Sequence, residues 1–252
     1  MEFIKTTSRY ITNYFSVKKY NDDYYRLTYH KYPVRPSGFE SKERKIYSRD
    51  VNEDKLDNNL IRAKMKVFEY AMCNEFSHFV TLTLDRNKYD RYNLKKYIKD
   101  LGQFIRNYRR KYGVNIQYLL IPEEHQDGAW HMHGLIKGIP SNHLEKNKNG
   151  YLDWKAYSDK FGYMSIDSIR SMEAVSKYIT KYITKTIKTG KGVTEKNQKL
   201  YYVSRGLNVA EKVKEGTINE SDLINISFDY ENEYVRFKKL NGLEYLKFEH
   251  TL

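Results

Sequence analysis

The sequence has little of what defines several other protein classes. It contains one cysteine, Cys73, which excludes an intramolecular disulfide framework and a cysteine-based zinc finger. No run approaches the roughly 18 apolar residues of a membrane-spanning helix. Residues 1–20 also lack the apolar segment of a secretory signal, so a cytoplasmic location is expected. The G-x-x-x-x-G-K-[ST] run of a phosphate-binding loop is missing as well.

The charge is positive and unevenly distributed. Lys and Arg number 45 against 32 Asp and Glu, so the net charge is +13, which suits a polyanionic partner. Residues 207–252 carry six basic and nine acidic side chains, a net charge of −3, which leaves +16 for the first 206 residues. The sequence therefore predicts that the anion binds upstream of this tail.

The middle of the chain alternates between strand and helix patterns. Apolar side chains recur every three or four residues in some segments, whereas others are short and rich in β-branched residues. The predicted helices are 58–72, 93–112 (closed by Gly113) and 171–188, and the predicted strands are 79–84, 117–122, 129–136 and 163–166.

The two ends of the chain are less informative than the middle. Residues 1–57 show no clear period and are treated as an N-terminal extension. In the acidic segment 207–252, Tyr234–Leu240 and Leu243–Glu249 flank Asn241-Gly242, which predicts a C-terminal β-hairpin around a type I′ turn. The remaining residues, 58–206, form the predicted core domain.

His131 and His133 form the first candidate site. In a strand, side chains i and i+2 point to the same face, so both imidazoles can reach one cation. A three-residue hairpin loop would place Glu123 opposite His131 and His125 on the same face, whereas a two-residue loop would place Glu124 there. Either carboxylate beside two imidazoles suits zinc, manganese or non-haem iron. The alternative interpretation is two strand histidines that merely pack.

The helix predicted after Ser171 carries the second candidate site. On a helical projection, Tyr178 and Tyr182 lie between a stripe of isoleucines and a stripe of lysines. Their rings can therefore pack in the core while their hydroxyls meet an anion. Tyrosine is one residue in ten of this chain, so such a pair at a core boundary is also expected by chance. The lysines of the stripe are Lys177, Lys181, Lys185 and Lys188.

Together the two sites suit phosphodiester transesterification. A phenol has a pKa near 10, so about one in a thousand is ionised at neutral pH. Adjacent lysines and a divalent cation favour the phenolate and neutralise charge on a phosphate. Attack by a tyrosine would give a covalent phosphotyrosine and release a 3′-hydroxyl, and the retained bond energy would permit rejoining without ATP.

Three segments, in order, resemble motifs of the HUH endonucleases, specifically the two-tyrosine replication initiators (Rep proteins) of rolling-circle phages and plasmids. Residues 79–84 (FVTLTL) resemble the core strand, and residues 130–136 (WHMHGLI) resemble the His-hydrophobe-His motif. Residues 178–182 (YITKY) resemble the tyrosine motif with its intervening lysine. The family draws its third metal ligand from a segment that residues 121–125 (IPEEH) resemble.

The resemblance implies an α+β fold with a central antiparallel β-sheet flanked by helices, an RRM-like palm, and an endonuclease domain over residues 58–206. It implies Mg²⁺ or Mn²⁺ as the working ion. Glu123 is the favoured third ligand, with Glu124 and His125 as the other candidates. The implied residues are, for the metal, His131, His133 and Glu123; for catalysis, Tyr178, Tyr182 and Lys181; and for DNA binding, Lys177, Lys185 and Lys188.

The implied substrate is single-stranded or hairpin-extruded origin DNA in a bacterial host. Because the chain has no phosphate-binding loop, a separate helicase is expected. The basic residues of the 93–112 helix, Arg106 and Arg109 to Lys111, would extend the DNA track or form a solvated helix face. The alternative functions are a relaxase or transposase of the same superfamily, or a non-catalytic basic DNA-binding protein.

Overall fold

The protein has an α+β fold in the computed structural model, which describes residues 10–35, 53–147, 150–189, 199–223 and 226–251. The strands are β1 (Tyr14–Asn21), β2 (Tyr24–His30), β3 (His78–Leu84), β4 (Gln117–Glu124), β5 (Trp130–Lys137), β6 (Glu145–Lys146), β7 (Leu152–Asp153), β8 (Gly162–Ser168), β9 (Tyr202–Val203), β10 (Glu211–Thr217), β11 (Tyr230–Glu231) and β12 (Val235–Leu240). The helices are α1 (Glu53–Met72), α2 (Leu94–Tyr112), α3 (Lys155–Lys160), α4 (Met172–Thr189) and α5 (Gly242–Thr251).

The chain divides into two compact units, each built on one antiparallel sheet. The central unit comprises residues 51–208, and the terminal unit combines residues 1–50 with residues 209–252. The central sheet has seven strands in the order β6-β7-β8-β3-β5-β4-β9. The terminal sheet has five strands in the order β10-β1-β2-β12-β11. Within the described residues, no helix is both long and apolar enough to cross a membrane.

The helices and strands predicted for the middle of the chain are present. The predicted 58–72 helix begins earlier, at Glu53. Helix α2 follows the prediction closely because both of its ends are specified locally. The Asn93 side chain accepts a hydrogen bond from the backbone N–H of Lys96, and Gly113 ends the helix in the left-handed region at φ 65°.

The two faces of the central sheet are covered by different helices. On one face, Tyr97 and Leu101 of α2 and Trp154 beside α3 pack against alternate residues of the central strands, including Met132. On the other face, Ile179 and Ile183 of α4 and Val67 of α1 pack against Leu119, Ile121 and Leu135. Because side chains alternate along β5, Met132 faces α2, whereas its neighbours in the His131-x-His133 pattern face α4.

The basic residues of α2 are therefore separated from the lysines of α4. Arg106 and Arg109 belong to the helix that covers one face of the sheet, and Lys177 and Lys181 belong to the helix that covers the other. The sheet lies between the two groups, so the α2 residues do not extend the α4 lysine stripe. Their position fits the alternative interpretation, the outer face of an amphipathic helix.

The predicted C-terminal hairpin around Asn241-Gly242 is wrong. The first strand forms as β12, but Gly242 starts helix α5 instead of a turn. The Asn241 side chain accepts a hydrogen bond from the N–H of Glu244 (2.9 Å), and the Glu244 carboxylate accepts one from the N–H of Asn241 (2.9 Å). This reciprocal capping box stabilises a helix start, and it overrides the turn preference of Asn-Gly. A hairpin does occur nearby, between β11 and β12.

Candidate active site

The β4–β5 hairpin adopts the first of the two predicted registers. Glu123 lies opposite His131, and the loop comprises three residues, because the N–H of His125 bonds to the carbonyl of Ala129 (2.9 Å). Gly128 takes the left-handed conformation that this loop requires, at φ 82°. The His125 and His131 rings stack with centroids 3.7 Å apart. Glu124 pairs with Trp130 and so alternates to the other face of the sheet.

Two threonines of β3 hold the imidazoles through one nitrogen each. Thr81 lies opposite His133, and Thr83 lies opposite His131. The distances from threonine Oγ1 to imidazole Nδ1 are 3.1 Å at His133 and 3.2 Å at His131. The Nε2 atoms are left for another ligand, as in metal sites where a second hydrogen bond orients the ring. Sequence reasoning missed this role, although the Thr-x-Thr spacing matches the His-x-His spacing.

The Glu123 carboxylate is buried between an imidazole and an ammonium group. The side chain is 3% exposed, and its Oε2 lies 2.5 Å from Nε2 of His133. That nitrogen is buried and makes no hydrogen bond, so the two atoms are close without the alignment of a donor and an acceptor. The other carboxylate oxygen contacts the Lys185 ammonium, which lies where a cation would neutralise Glu123.

Burial and charge hold these groups in the protonation states that bind metals. Burial, followed by the charges of His125 and His133, lowers the pKa of His131 to about 4. Burial also lowers the pKa of His133, although Glu123 opposes this effect. Burial alone would raise the pKa of Glu123, but Lys185 and His133 outweigh it, and the net pKa is below its usual value. At neutral pH the carboxylate is therefore ionised and both imidazoles are neutral.

Helix α4 brings both tyrosines to this site. The Tyr182 ring stacks on the His133 ring with centroids 3.9 Å apart and an interplanar angle of 15°. Its hydroxyl lies 2.8 Å from the hydroxyl of Tyr178, which is 45% exposed. Phe79 packs edge-on against Tyr178. Burial, followed by the hydrogen bond with Tyr178, raises the pKa of the Tyr182 phenol well above its usual range.

The four lysines of α4 are in different environments. The Lys181 ammonium lies 5.6 Å from the centre of the Tyr178 ring. Lys177 forms an ion pair with Glu173 on its own helix (2.9 Å), and Lys185 pairs with Glu123. The side chain of Lys188 lies outside the described part of the chain. Of the predicted lysines, Lys181 is therefore the one that lies against a tyrosine ring.

The chemistry of this donor set fits a divalent cation. Glu123 supplies an ionised oxygen, and His133 supplies a buried nitrogen that lacks a hydrogen-bond partner. His131, opposite Glu123, supplies a second neutral imidazole on the same face. Within the described residues, however, no three His, Cys, Asp or Glu side chains converge as a metal-binding group. The Lys185 ammonium is the positive charge that neutralises the Glu123 carboxylate in this arrangement.

Comparison with known proteins supports the same segment of the chain. Residues 77–187 match the family model of the replication-associated protein ORF2. The match covers a little under half of the chain and includes β3, the β4–β5 hairpin and nearly all of α4. It therefore spans the histidines, Glu123 and the tyrosine pair. No curated protein and no solved structure gives a significant match.

Proposed function

We propose that this chain is an endonuclease of the HUH type that starts rolling-circle replication. It would cut one strand of single-stranded or hairpin-extruded origin DNA and later rejoin it through a covalent 5′-phosphotyrosine. The replication-associated family that matches residues 77–187 supports a role in replication. A separate helicase would open the duplex, because the sequence contains no phosphate-binding loop.

One observation carries the proposal: the tyrosines of α4 lie directly on the histidines of the β4–β5 hairpin. The Tyr182 ring covers the His133 ring at 3.9 Å, and the two tyrosine hydroxyls are 2.8 Å apart. Tyrosines on a later helix need not meet a histidine pair on an earlier hairpin unless the fold positions both. A site for transesterification requires a nucleophile and cation ligands within a few ångströms of each other.

We assign the first attack to Tyr178. This phenol is 45% exposed and has the Lys181 ammonium against its ring, so a phosphate can reach it. The Tyr182 phenol is half-buried against His133, and its raised pKa makes it the weaker nucleophile in this arrangement. Tyr182 would then accept the second strand transfer, once the first attachment has moved Tyr178.

In the proposed reaction, the Tyr178 hydroxyl oxygen attacks the scissile phosphorus and the bond to the 3′-oxygen breaks. The phenolic proton passes, overall, to the leaving oxygen, which becomes a 3′-hydroxyl. A Mg²⁺ or Mn²⁺ ion held by His131, His133 and Glu123 would supply Lewis-acid polarisation of the phosphate. Lys181 would neutralise negative charge on the same phosphate.

The test is formation of a covalent protein–DNA adduct. Because the 5′-phosphate stays on the protein, a random single-stranded library should carry its label at the 3′ end. We expect a labelled band that resists denaturation, requires Mn²⁺ and disappears in EDTA. Sequencing the attached strands would identify the cleavage site.

The decisive variant for the same assay is Tyr178→Phe combined with Tyr182→Phe, which should abolish the adduct. Tyr112→Phe is the matched control, because Tyr112 is 42% exposed and ends the helix on the opposite face of the sheet. A band that survives EDTA and the double substitution would overturn the proposal in favour of a non-catalytic DNA-binding protein.

A further inference from the structure

The terminal sheet has one covered face and one face without a helix. Ile218, Leu223 and Tyr245 pack with Phe15 and Leu27 on the covered face. Helix α5, which carries Tyr245, is the helix that the structure describes in the terminal unit, so no described helix of that unit covers the other face. The residues that alternate away from this core therefore decide what the second face can bind.

Four cations form a row across that second face. In the strand register, Lys212 of β10 lies opposite Lys18 of β1, Lys18 lies opposite Arg26 of β2, and Arg26 lies opposite Lys239 of β12. Neighbouring strands are about 4.8 Å apart, so the row spans roughly 14 Å. We call Lys212, Lys18, Arg26 and Lys239 the cationic row.

The cationic row costs the fold stability, because like charges directly opposite each other repel. Three successive pairs of this kind in one sheet are not explained by packing. Glu215 contacts Lys212 at the β10 end, so the positive charge is concentrated toward β1, β2 and β12. A bound polyanion would turn this repulsion into attraction.

Aromatic rings lie on both sides of the cationic row. On one side, the Arg26 guanidinium lies 4.9 Å from the Tyr20 ring centre, and the Lys239 ammonium lies 5.3 Å from that of Tyr24. On the other side, the rings of Phe237 and Tyr230 stack with centroids 4.8 Å apart and an interplanar angle of 21°. Tyr230 is 46% exposed, so its outer side can take another flat ring.

We propose that this face is a second binding site, one for single-stranded DNA. Phosphates would follow the cationic row, and an unpaired base would stack on the Tyr230–Phe237 pair, as in other sheets that bind single strands. The row alone would suit any polyanion, but stacking requires bases that are not already paired. Two of the four cations, Lys212 and Lys239, come from the acidic tail, for which the sequence predicted no anion binding.

This site is independent of the proposed strand cutting. All of its residues lie in the terminal unit, outside the family match to residues 77–187. Binding can therefore be measured on the full chain carrying Tyr178→Phe and Tyr182→Phe, in which no covalent product should form. Loss of the adduct in the nicking assay and loss of binding here are separate outcomes.

The first experiment measures the affinity for a fluorescent oligothymidylate as the salt concentration rises. Each phosphate contact contributes about 0.7 to the slope of log affinity against log salt for a single strand. Lys18→Gln with Lys239→Gln should therefore reduce the slope by about 1.4 and weaken binding at low salt. Lys95→Gln with Lys99→Gln, exposed positions on α2, changes the net charge equally and should leave the slope unchanged.

The second experiment separates stacking from simple charge attraction. Tyr230→Ser should weaken oligothymidylate binding about fivefold or more and leave binding of inorganic polyphosphate unchanged. The Lys18→Gln/Lys239→Gln protein should melt at a higher temperature than its parent in low salt, which would show that it is folded. An unchanged salt slope in that protein, or equal affinity for oligothymidylate and polyphosphate, would overturn the proposal.

Discussion

The central sheet carries two pairs of tyrosine hydroxyls, one on each face. Tyr97 and Tyr157 lie under α2 and α3 with their hydroxyl oxygens 2.7 Å apart, and both side chains are fully buried. Tyr178 and Tyr182 lie on α4 with their oxygens 2.8 Å apart, beside His133 and open to solvent on one side. The hydrogen bonds are nearly the same, but the surroundings differ.

This difference teaches which pair can react. Burial raises the pKa of both Tyr97 and Tyr157, and the groups around them are aromatic, so no phosphate can approach. The α4 pair has a lysine, two imidazoles and a carboxylate around it, and Tyr178 reaches the surface. The first pair therefore holds the core together, and the second fits the proposed nucleophiles.

The comparison is tested most severely by removing single hydroxyls from the α4 pair. Tyr178→Phe should lower the rate of the first adduct by a factor of about 10² or more, because it removes the exposed nucleophile. Tyr182→Phe should lower it only about fivefold, the effect of one lost hydrogen bond of roughly 1 kcal/mol. The measurement is single-turnover formation of the 3′-labelled adduct with Mn²⁺. Equal losses in the two variants would refute the order of attack.

The same change on the other face should affect stability instead of chemistry. Tyr157→Phe leaves the buried Tyr97 hydroxyl without its partner and should lower the free energy of unfolding by about 1–3 kcal/mol. Tyr97→Phe with Tyr157→Phe removes both hydroxyls and should recover much of that loss. Urea unfolding followed by tryptophan fluorescence suits this test, since both tryptophans, Trp130 and Trp154, lie in this core.

The matched control for that cycle is the α4 pair. Tyr182→Phe should change the free energy of unfolding by less than about 0.5 kcal/mol, because water can replace the partner of the exposed Tyr178 hydroxyl. If Tyr182→Phe is as destabilising as Tyr157→Phe, the contrast between the two faces is wrong.

Sequence alone predicts those parts of the fold and site that depend on neighbouring residues. Helix α2 is bounded by Asn93 and Gly113, whose preferences act within one turn. The pairing of Glu123 with His131 follows from the length of a three-residue loop. These features require no knowledge of what packs against them.

Contacts between distant segments are not predictable in this way. The threonine support of the imidazoles depends on the register between β3 and β5, about fifty residues apart. The terminal sheet pairs β1 and β2 with β10 and β12, so its cationic row is invisible in a linear sequence. The α5 error is different, because the Glu244 that completes the Asn241 capping box is visible three residues downstream.

The smallest expected effect is the acid sensitivity that His131 gives the central unit. Its pKa is about 4 in the folded chain and near 6.5 when unfolded, so the folded state binds fewer protons. The stability it contributes is present above pH 6.5 and is lost as the pH falls toward 4. In EDTA, His131→Gln should flatten the decline of the tryptophan-monitored urea midpoint between these values. The flattening should be partial, because burial also lowers the pKa of His133 and His78. A decline as steep as that of the unsubstituted chain would mean that His131 is already solvated, and that the contrast between the two faces of the sheet is weaker than the distances indicate.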